Sequence, residues 1–241
     1  MFREVLRALY PRRCPGCAGV IAPDMLVCDE CRSRFRIVEQ PCCYKCGRHV
    51  PGDSDEVCSE CGSRSRSFGY GVAVFEYNAC MKRAMSDFKF NGHKENCDYF
   101  VHETVLHRAG EIAGFAPDAL IPVPVHVAKL KSRGFNQAEL LAEGVGKALN
   151  IPVISDFLVR TRKTDAQKNL DGAERAANLA SAFACNTEKY KPEDIKTKLD
   201  RVMLVDDIFT TGATMEGCTR VLLNAGVGTV GILSISIGGG Y

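Results

Sequence analysis

The 241-residue sequence has no run of about 18 consecutive apolar residues, so nothing in it reads as a membrane span. Its opening stretch, MFREVLRALYPRRC, is amphipathic but lacks the continuous apolar core of a secretory leader, which points to a cytoplasmic protein. Phe2, Val5, Leu6 and Leu9 are expected to pack onto the rest of the chain; the alternative is peripheral attachment of this stretch to the inner face of a membrane. Compositional bias is missing too, which removes disordered and collagen-like classes. A strong charge of one sign is also absent, since the formal net charge is only +2. Overall charge therefore gives no support to nucleic-acid binding, and local patches must carry any such role. Two are present, CRSRFRIVEQ and GSRSRSFGY, each basic with an aromatic close by.

Cysteine is abundant. There are 13, and nine of them precede residue 62. In a reducing compartment this density indicates metal binding rather than disulfides. Eight fall into C-x-x-C pairs: Cys14/Cys17, Cys28/Cys31, Cys43/Cys46 and Cys58/Cys61. The second quartet repeats the first at an offset of 29–30 residues. Each pair offers two thiolates on one side of a tetrahedral zinc ion, and a second pair closes the site. Four thiolates leave no open position, so two structural Zn²⁺ sites are expected rather than hydrolytic ones. Reduced cysteines in an ordinary core would need more apolar neighbours than this region supplies. Two points stay open. Cys42 adjoins Cys43, although only Cys43 has the right spacing to Cys46. The pairs could also close as successive ribbons or as a cross-brace. Metal loading would take the net charge from +2 to about −2.

From about residue 68 the texture changes to alternating strands and helices. Strands are expected in GYGVAVFEY, DALIPVPVH, FLVRTRK, RVMLVDD and TVGILSIS. Helices are expected in ACMKRAMSDFKFNG, residues 94–110, NQAELLAEGVGKALN, AERAANLASAF and ATMEGCTRVLLNAG. The segment CNTEKYKPEDIKTKLD, residues 185–200, reads as a polar surface excursion. This order implies an α/β fold with a mostly parallel sheet flanked by helices. The expected organisation is a zinc-binding domain over 1–66 and an α/β domain over 67–241. Gly226, Gly228 and Gly231 spell G-x-G-x-x-G, but they follow a helix and lead into a strand, so they mark a helix stop rather than a dinucleotide site.

The chemistry concentrates in RVMLVDDIFTTGAT, residues 201–214. An apolar strand delivers Asp206 and Asp207 to the carboxyl edge of the sheet, where open α/β folds bind ligands. Thr210, Thr211, Gly212, Ala213 and Thr214 then turn into a helix whose free N–H groups suit an anion. Carboxylates for a vicinal diol, with an anion nest nearby, fit a ribose 5-phosphate.

VMLVDDIFTTGAT resembles the phosphoribosyl pyrophosphate motif of type I phosphoribosyltransferases. LIPVPVH and SRGFNQAELLA within 120–142, RTRKTDAQKNLDGAERAANLASAF at 160–183, FKFNG at 88–92 and the cysteine-rich start together resemble the ComF family, which includes the ComFC competence proteins and GntX. The resemblance implies a phosphoribosyltransferase-like domain with a pyrophosphate loop near Val125 and His126, followed by Lys129, Lys131 and Arg133. It implies a mobile loop with Arg160, Arg162 and Gln167. It also implies Mg²⁺ with phosphoribosyl pyrophosphate, a place in DNA uptake, single-stranded DNA as a partner and a ComFA-like helicase. The residues identify no acceptor substrate.

Overall fold

The computed structural model describes residues 11–52, 56–161 and 182–238. Residues 1–10, Arg162, Gln167 and most of the expected helix at 173–183 lie outside these. Over the described residues the elements run α1 Asp29–Arg32, α2 Ser59–Ser63, β1 Tyr70–Glu76, α3 Ala79–Phe90, α4 Asn96–Phe115, β2 Ala119–Pro122, α5 Val127–Arg133, α6 Gln137–Leu149, β3 Leu158–Arg160, β4 Phe183–Cys185, α7 Pro192–Lys198, β5 Arg201–Phe209, α8 Ala213–Asn224 and β6 Thr229–Ile237.

The main sheet is parallel throughout, in the order β1-β6-β5-β2. Its inner strands β5 and β6 are buried on both faces, which explains their near-continuous apolar runs. Met203, Val205, Leu233 and Ile235 face one core, which also holds Met81 and Phe88 of α3 and Phe100 of α4. Val202, Leu204, Val230 and Ile232 face the other, with Met215, Cys218 and Leu222 of α8. Asn78 starts α3 by accepting a hydrogen bond from the Met81 amide at 2.9 Å, and Asn136 does the same for α6 through Ala138 at 3.2 Å. The glycines at 226–231 serve the α8–β6 junction: Gly226 has φ of 105°, and a Cβ at Gly228 would lie 2.1 Å from Asp200 Oδ1.

Three expectations need correction. FLVRTRK contributes β3, but β3 pairs antiparallel with β4 in a separate two-stranded ribbon and does not join the parallel sheet. Phe183, expected at the end of a helix, opens β4. The polar segment 185–200 is not simply a surface excursion either. It holds α7, with Pro192 at its first turn, and buries Ile195 and Leu199. Two apolar residues four apart anchor one short helix, too few to raise a visible period in the sequence.

The cysteine-rich region is built onto the sheet. β1 is an edge strand, and its free side is covered by residues 36–38 and 44. Val38 N–H donates to Val74 O, Glu76 N–H to Arg36 O, and Gly71 N–H to Tyr44 O, each at 2.9 Å. Arg108 of α4 locks this junction from below, donating to Ala73 O at 2.9 Å and to Val38 O. The approach is close enough to require glycine on both sides: a Cβ at Gly71 would lie 2.1 Å from Lys45 O, and one at Gly47 would lie 2.3 Å from Ala73 N. The change Gly71→Ala is therefore expected to cost about 1–3 kcal/mol through overpacking against backbone that cannot yield. Urea denaturation of the zinc-loaded protein checks this, with Gly62→Ala, which meets nothing within 4 Å, as the neutral control.

Candidate functional site

The eight paired cysteines gather as two successive quartets, not as a cross-brace. Cys14, Cys17, Cys28 and Cys31 form one and Cys43, Cys46, Cys58 and Cys61 the other, with all Sγ atoms of a set within 4.8 Å of one another. Sγ–Sγ separations are 3.5 Å for Cys14–Cys28, 3.9 Å for Cys17–Cys28 and 3.7 Å for Cys46–Cys58. A tetrahedral ion with Zn–S bonds of about 2.3 Å requires edges of about 3.8 Å, so both sets fit zinc. Charge agrees. In the second quartet hydrogen bonds from Cys46 and Cys61 push the Cys43 thiol far down, while the same bond pushes Cys61 up to about 12. Four thiols this close cannot all ionise without a cation to share.

The sequence repeat is also a backbone repeat. In the first ribbon Cys14 N–H donates to Gly19 O and Ala18 N–H to Cys14 O; in the second, Cys43 N–H donates to Arg48 O and Gly47 N–H to Cys43 O. Ala18 and Gly47, equivalent in the repeat, both have positive φ. The repeat disposes of Cys42. It pairs with His49 across the knuckle as Arg13 pairs with Val20, and its thiol donates to Glu39 O at 3.2 Å. It occupies a bridge position, outside the ligand set.

The second constellation lies at the carboxyl edge of the sheet, between β5 and β2. β2 ends at Pro122 opposite Val205, whereas β5 runs on to Phe209 beside β6. The chain leaves β5 toward α8 and β6, and leaves β2 toward α5, α6 and Val153, which bridges Leu120 on the far side. The connections diverge, so the sheet opens a crevice there. Asp206 and Asp207 stand in the overhang, within the strand. Successive residues of a strand face opposite ways. Asp207 meets Lys89 of α3, whose Nζ lies 2.6 Å from Oδ2, while Asp206 faces the layer of Cys218 and Arg160. Asp206 Oδ1 accepts the Asp207 amide at 2.9 Å. Burial, reinforced by the neighbouring Asp207 charge, pushes the Asp206 carboxyl up to about 8.

Thr210 and Thr211 are exposed, and Gly212, with φ of 73°, turns the chain into α8. Ala213 and Thr214 form the first turn of that 12-residue helix. The left-handed Gly212 lets the loop fold back over Phe209, whose ring leaves no room for a Cβ.

Cations ring the acidic pair. The Lys129 ammonium is pushed down by burial and by the charges of Arg133, Arg160 and Lys89, which places these groups within electrostatic reach of one another. Val125 and His126 lie at the turn after β2, and His126 Nδ1 accepts the Ala128 amide at 3.1 Å to start α5. Arg133 is directed at its own scaffold, donating to Gln137 Oε1 at 2.9 Å with its guanidinium 4.8 Å from the Phe90 ring. Lys131 is exposed on α5. Sequence reasoning missed two residues. Lys89 lies inside FKFNG, a segment singled out only by resemblance. Arg66 comes from the cysteine-rich side and donates to Thr211 O at 2.8 Å.

A cysteine-rich double ribbon docked on a parallel α/β sheet with an acidic, cation-ringed crevice defines the class of this protein. The double zinc ribbon domain family matches residues 5–62. Competence protein ComFC of Bacillus subtilis is 30% identical over 216 residues, covering 86% of this chain and 82% of its own length. Competence protein F of Haemophilus influenzae is 28% identical over 225 residues, covering 89% and 92%, and DNA utilization protein YhgH of Escherichia coli is 27% identical over 212 residues, covering 85% and 87%. The chain belongs to the ComF family. Among the described residues no helix is long and apolar enough to cross a membrane.

Two outcomes follow from this geometry. Protein purified without chelator should carry two Zn²⁺; Cys43→Ser should lose one of them and Cys42→Ser neither, as counted by metal analysis. Asp206 gives a stability signature. Its folded pKa is raised, so its contribution is fully present below the ordinary aspartate range and is lost as pH rises through about 8. Asp206→Asn removes that loss. Its melting temperature should exceed that of the parent by about 2–8 °C at pH 8, and the gap should narrow toward pH 5.

Proposed function

We propose that the chain binds phosphoribosyl pyrophosphate with Mg²⁺ and acts as a phosphoribosyltransferase within DNA uptake. One observation carries the reading: two carboxylates, an anion-suited loop and a ring of cations share one crevice at the carboxyl edge of the sheet. The relatives' names, competence protein and DNA utilization protein, support the pathway.

The chemistry divides among the residues. Asp206 and Asp207 accept hydrogen bonds from the ribose hydroxyls. Amides and hydroxyls of Thr210, Thr211, Gly212, Ala213 and Thr214 wrap the 5-phosphate at the α8 N-terminus. Backbone at Val125 and His126 borders the diphosphate, and Lys89, Lys129 and Arg160 balance its charge. The hard oxygen donors of the acidic pair suit Mg²⁺, which supplies charge neutralisation of the departing diphosphate. Of the residues that the family resemblance assigns to a loop over the site, Arg160 lies within electrostatic reach of Asp206, and Arg162 and Gln167 lie outside the described residues. No covalent enzyme intermediate is needed, and the acceptor is left open.

The test is calorimetry of phosphoribosyl pyrophosphate with and without Mg²⁺. Asp206→Asn with Asp207→Asn should weaken binding by about 1.5–3 kcal/mol per lost charge-assisted bond. Thr211→Val should weaken it while the fold persists, since the bulk is kept. Absence of Mg²⁺-dependent binding by the parent, or equal binding by the double variant, overturns the reading. Pyrophosphate release across a panel of nucleobases then separates an enzyme from a binding protein.

A second reading, a single-stranded-DNA-binding factor working with a ComFA-like helicase, is favoured by a cleft of about 640 Å³ beside the first ribbon. It is lined in part by Arg34, Arg36 and Arg83. Binding there should be sequence-tolerant and fall with salt, at a log–log slope of about −0.7 per neutralised phosphate. Affinity unchanged between low and moderate salt would sink it.

A further inference from the structure

The loop at 210–212 is held from outside its own domain. Arg66 Nη2 donates to Thr211 O at 2.8 Å, and a Cβ at Gly212 would lie 3.2 Å from Arg66 Nη1, so both terminal nitrogens of the guanidinium lie close to the turn. Its side chain is 5% exposed. The charge is answered by Glu60, whose Oε1 lies 3.7 Å away, and the guanidinium sits 5.8 Å from the Phe68 ring. Glu60 is no free surface acid. It lies between Cys58 and Cys61 in α2, a five-residue helix that Cys58 of the second quartet precedes and that carries Cys61 of the same quartet at its middle. Arg48 also grips Glu60, at 3.2 Å, and donates to Gly238 O at the end of β6. One residue beyond Arg66, the Ser67 amide and hydroxyl donate to Glu216 in the first turn of α8, at 2.9 and 2.6 Å.

We infer that Arg66 is a positioning residue for the phosphate-binding loop, and that the second zinc site sets its position through Glu60. The physical case rests on cost. A guanidinium this buried needs its partners, and removing either leaves a charge or a carbonyl unsatisfied. Zinc fixes Glu60, Glu60 fixes Arg66, and Arg66 fixes the carbonyl of Thr211. With that carbonyl turned toward Arg66, the neighbouring amides are free to face an anion. Coupling of this kind is reciprocal: an anion that orders the loop must also tighten the hold on zinc at Cys43, Cys46, Cys58 and Cys61, and leave the first quartet unaffected. This inference rests on the phosphoribosyl pyrophosphate reading for its ligand but not for the coupling itself.

Two measurements on the full zinc-loaded chain separate the two. The first needs no ligand. Amide hydrogen exchange at 211–213 should speed up about five- to tenfold in Arg66→Met and Glu60→Gln, with a smaller rise in Arg66→Lys. Arg64→Met should change nothing, because Arg64 touches the same carboxylate but not the loop. The second follows zinc release to a colorimetric chelator. Phosphoribosyl pyrophosphate with Mg²⁺ should slow release of one zinc of the two by about five- to tenfold in the parent, and this protection should vanish in Arg66→Met while both ions remain bound. A merely structural arginine would not link ligand to metal release. Unchanged exchange in Arg66→Met, or zinc protection that survives it, overturns the inference. Faster exchange without any ligand effect keeps the coupling and rejects phosphoribosyl pyrophosphate as the ligand.

Discussion

An open parallel sheet has to cover its edges, and here the edge of β1 is covered by the cysteine-rich region. The backbone bonds from Val38, Gly71 and Glu76 close that edge, and they work only because residues 36–45 are held in an extended path between two metal knuckles. A strand edge left bare presents a row of unpaired amides and carbonyls. The zinc region is therefore a structural part of the α/β unit. Its second quartet shares a hydrophobic core with the sheet, since Cys43, Cys46, Cys58 and Cys61 are buried with Ala73, Leu204 and Ile232. A small ribbon with few apolar residues of its own gains stability from metal and from this docking together.

The same docking reaches the crevice. Arg66 and Ser67 leave the second knuckle and meet the β5–α8 junction, so that loop is shaped by residues some 145 positions away in sequence. The opposite wall comes from α3, whose Lys89 neutralises Asp207. Among the described residues no ion pair is formed by Asp206, and burial beside Asp207 pushes its carboxyl up to about 8. The site thus carries a carboxyl that the fold alone does not favour in ionised form.

Much of this was legible in the sequence. C-x-x-C spacing and the 29–30-residue offset announced two tetrahedral sites, because structural zinc takes four ligands and each C-x-x-C pair supplies two. The apolar runs at 202–205 and 229–236 announced buried parallel strands, and the loop at 210–214 announced its turn and helix, because these signals are local. The α7 helix and the β3–β4 ribbon were not legible. Each depends on a few side chains finding a partner far away, such as Ile195 in the core or Cys185 opposite Leu158.

By itself, then, the sequence determined which cysteines gather into quartets, which strands are central and where β5 turns into α8, since spacing and periodicity act over a few residues at a time. Tertiary structure decided the rest. It resolved the quartets as successive, excluded Cys42, brought Lys89 and Arg160 to the acidic pair and set Arg66 beneath the loop. These outcomes depend on which surfaces meet when the sheet edge is covered, and nothing within a short window of sequence encodes a contact made across the fold.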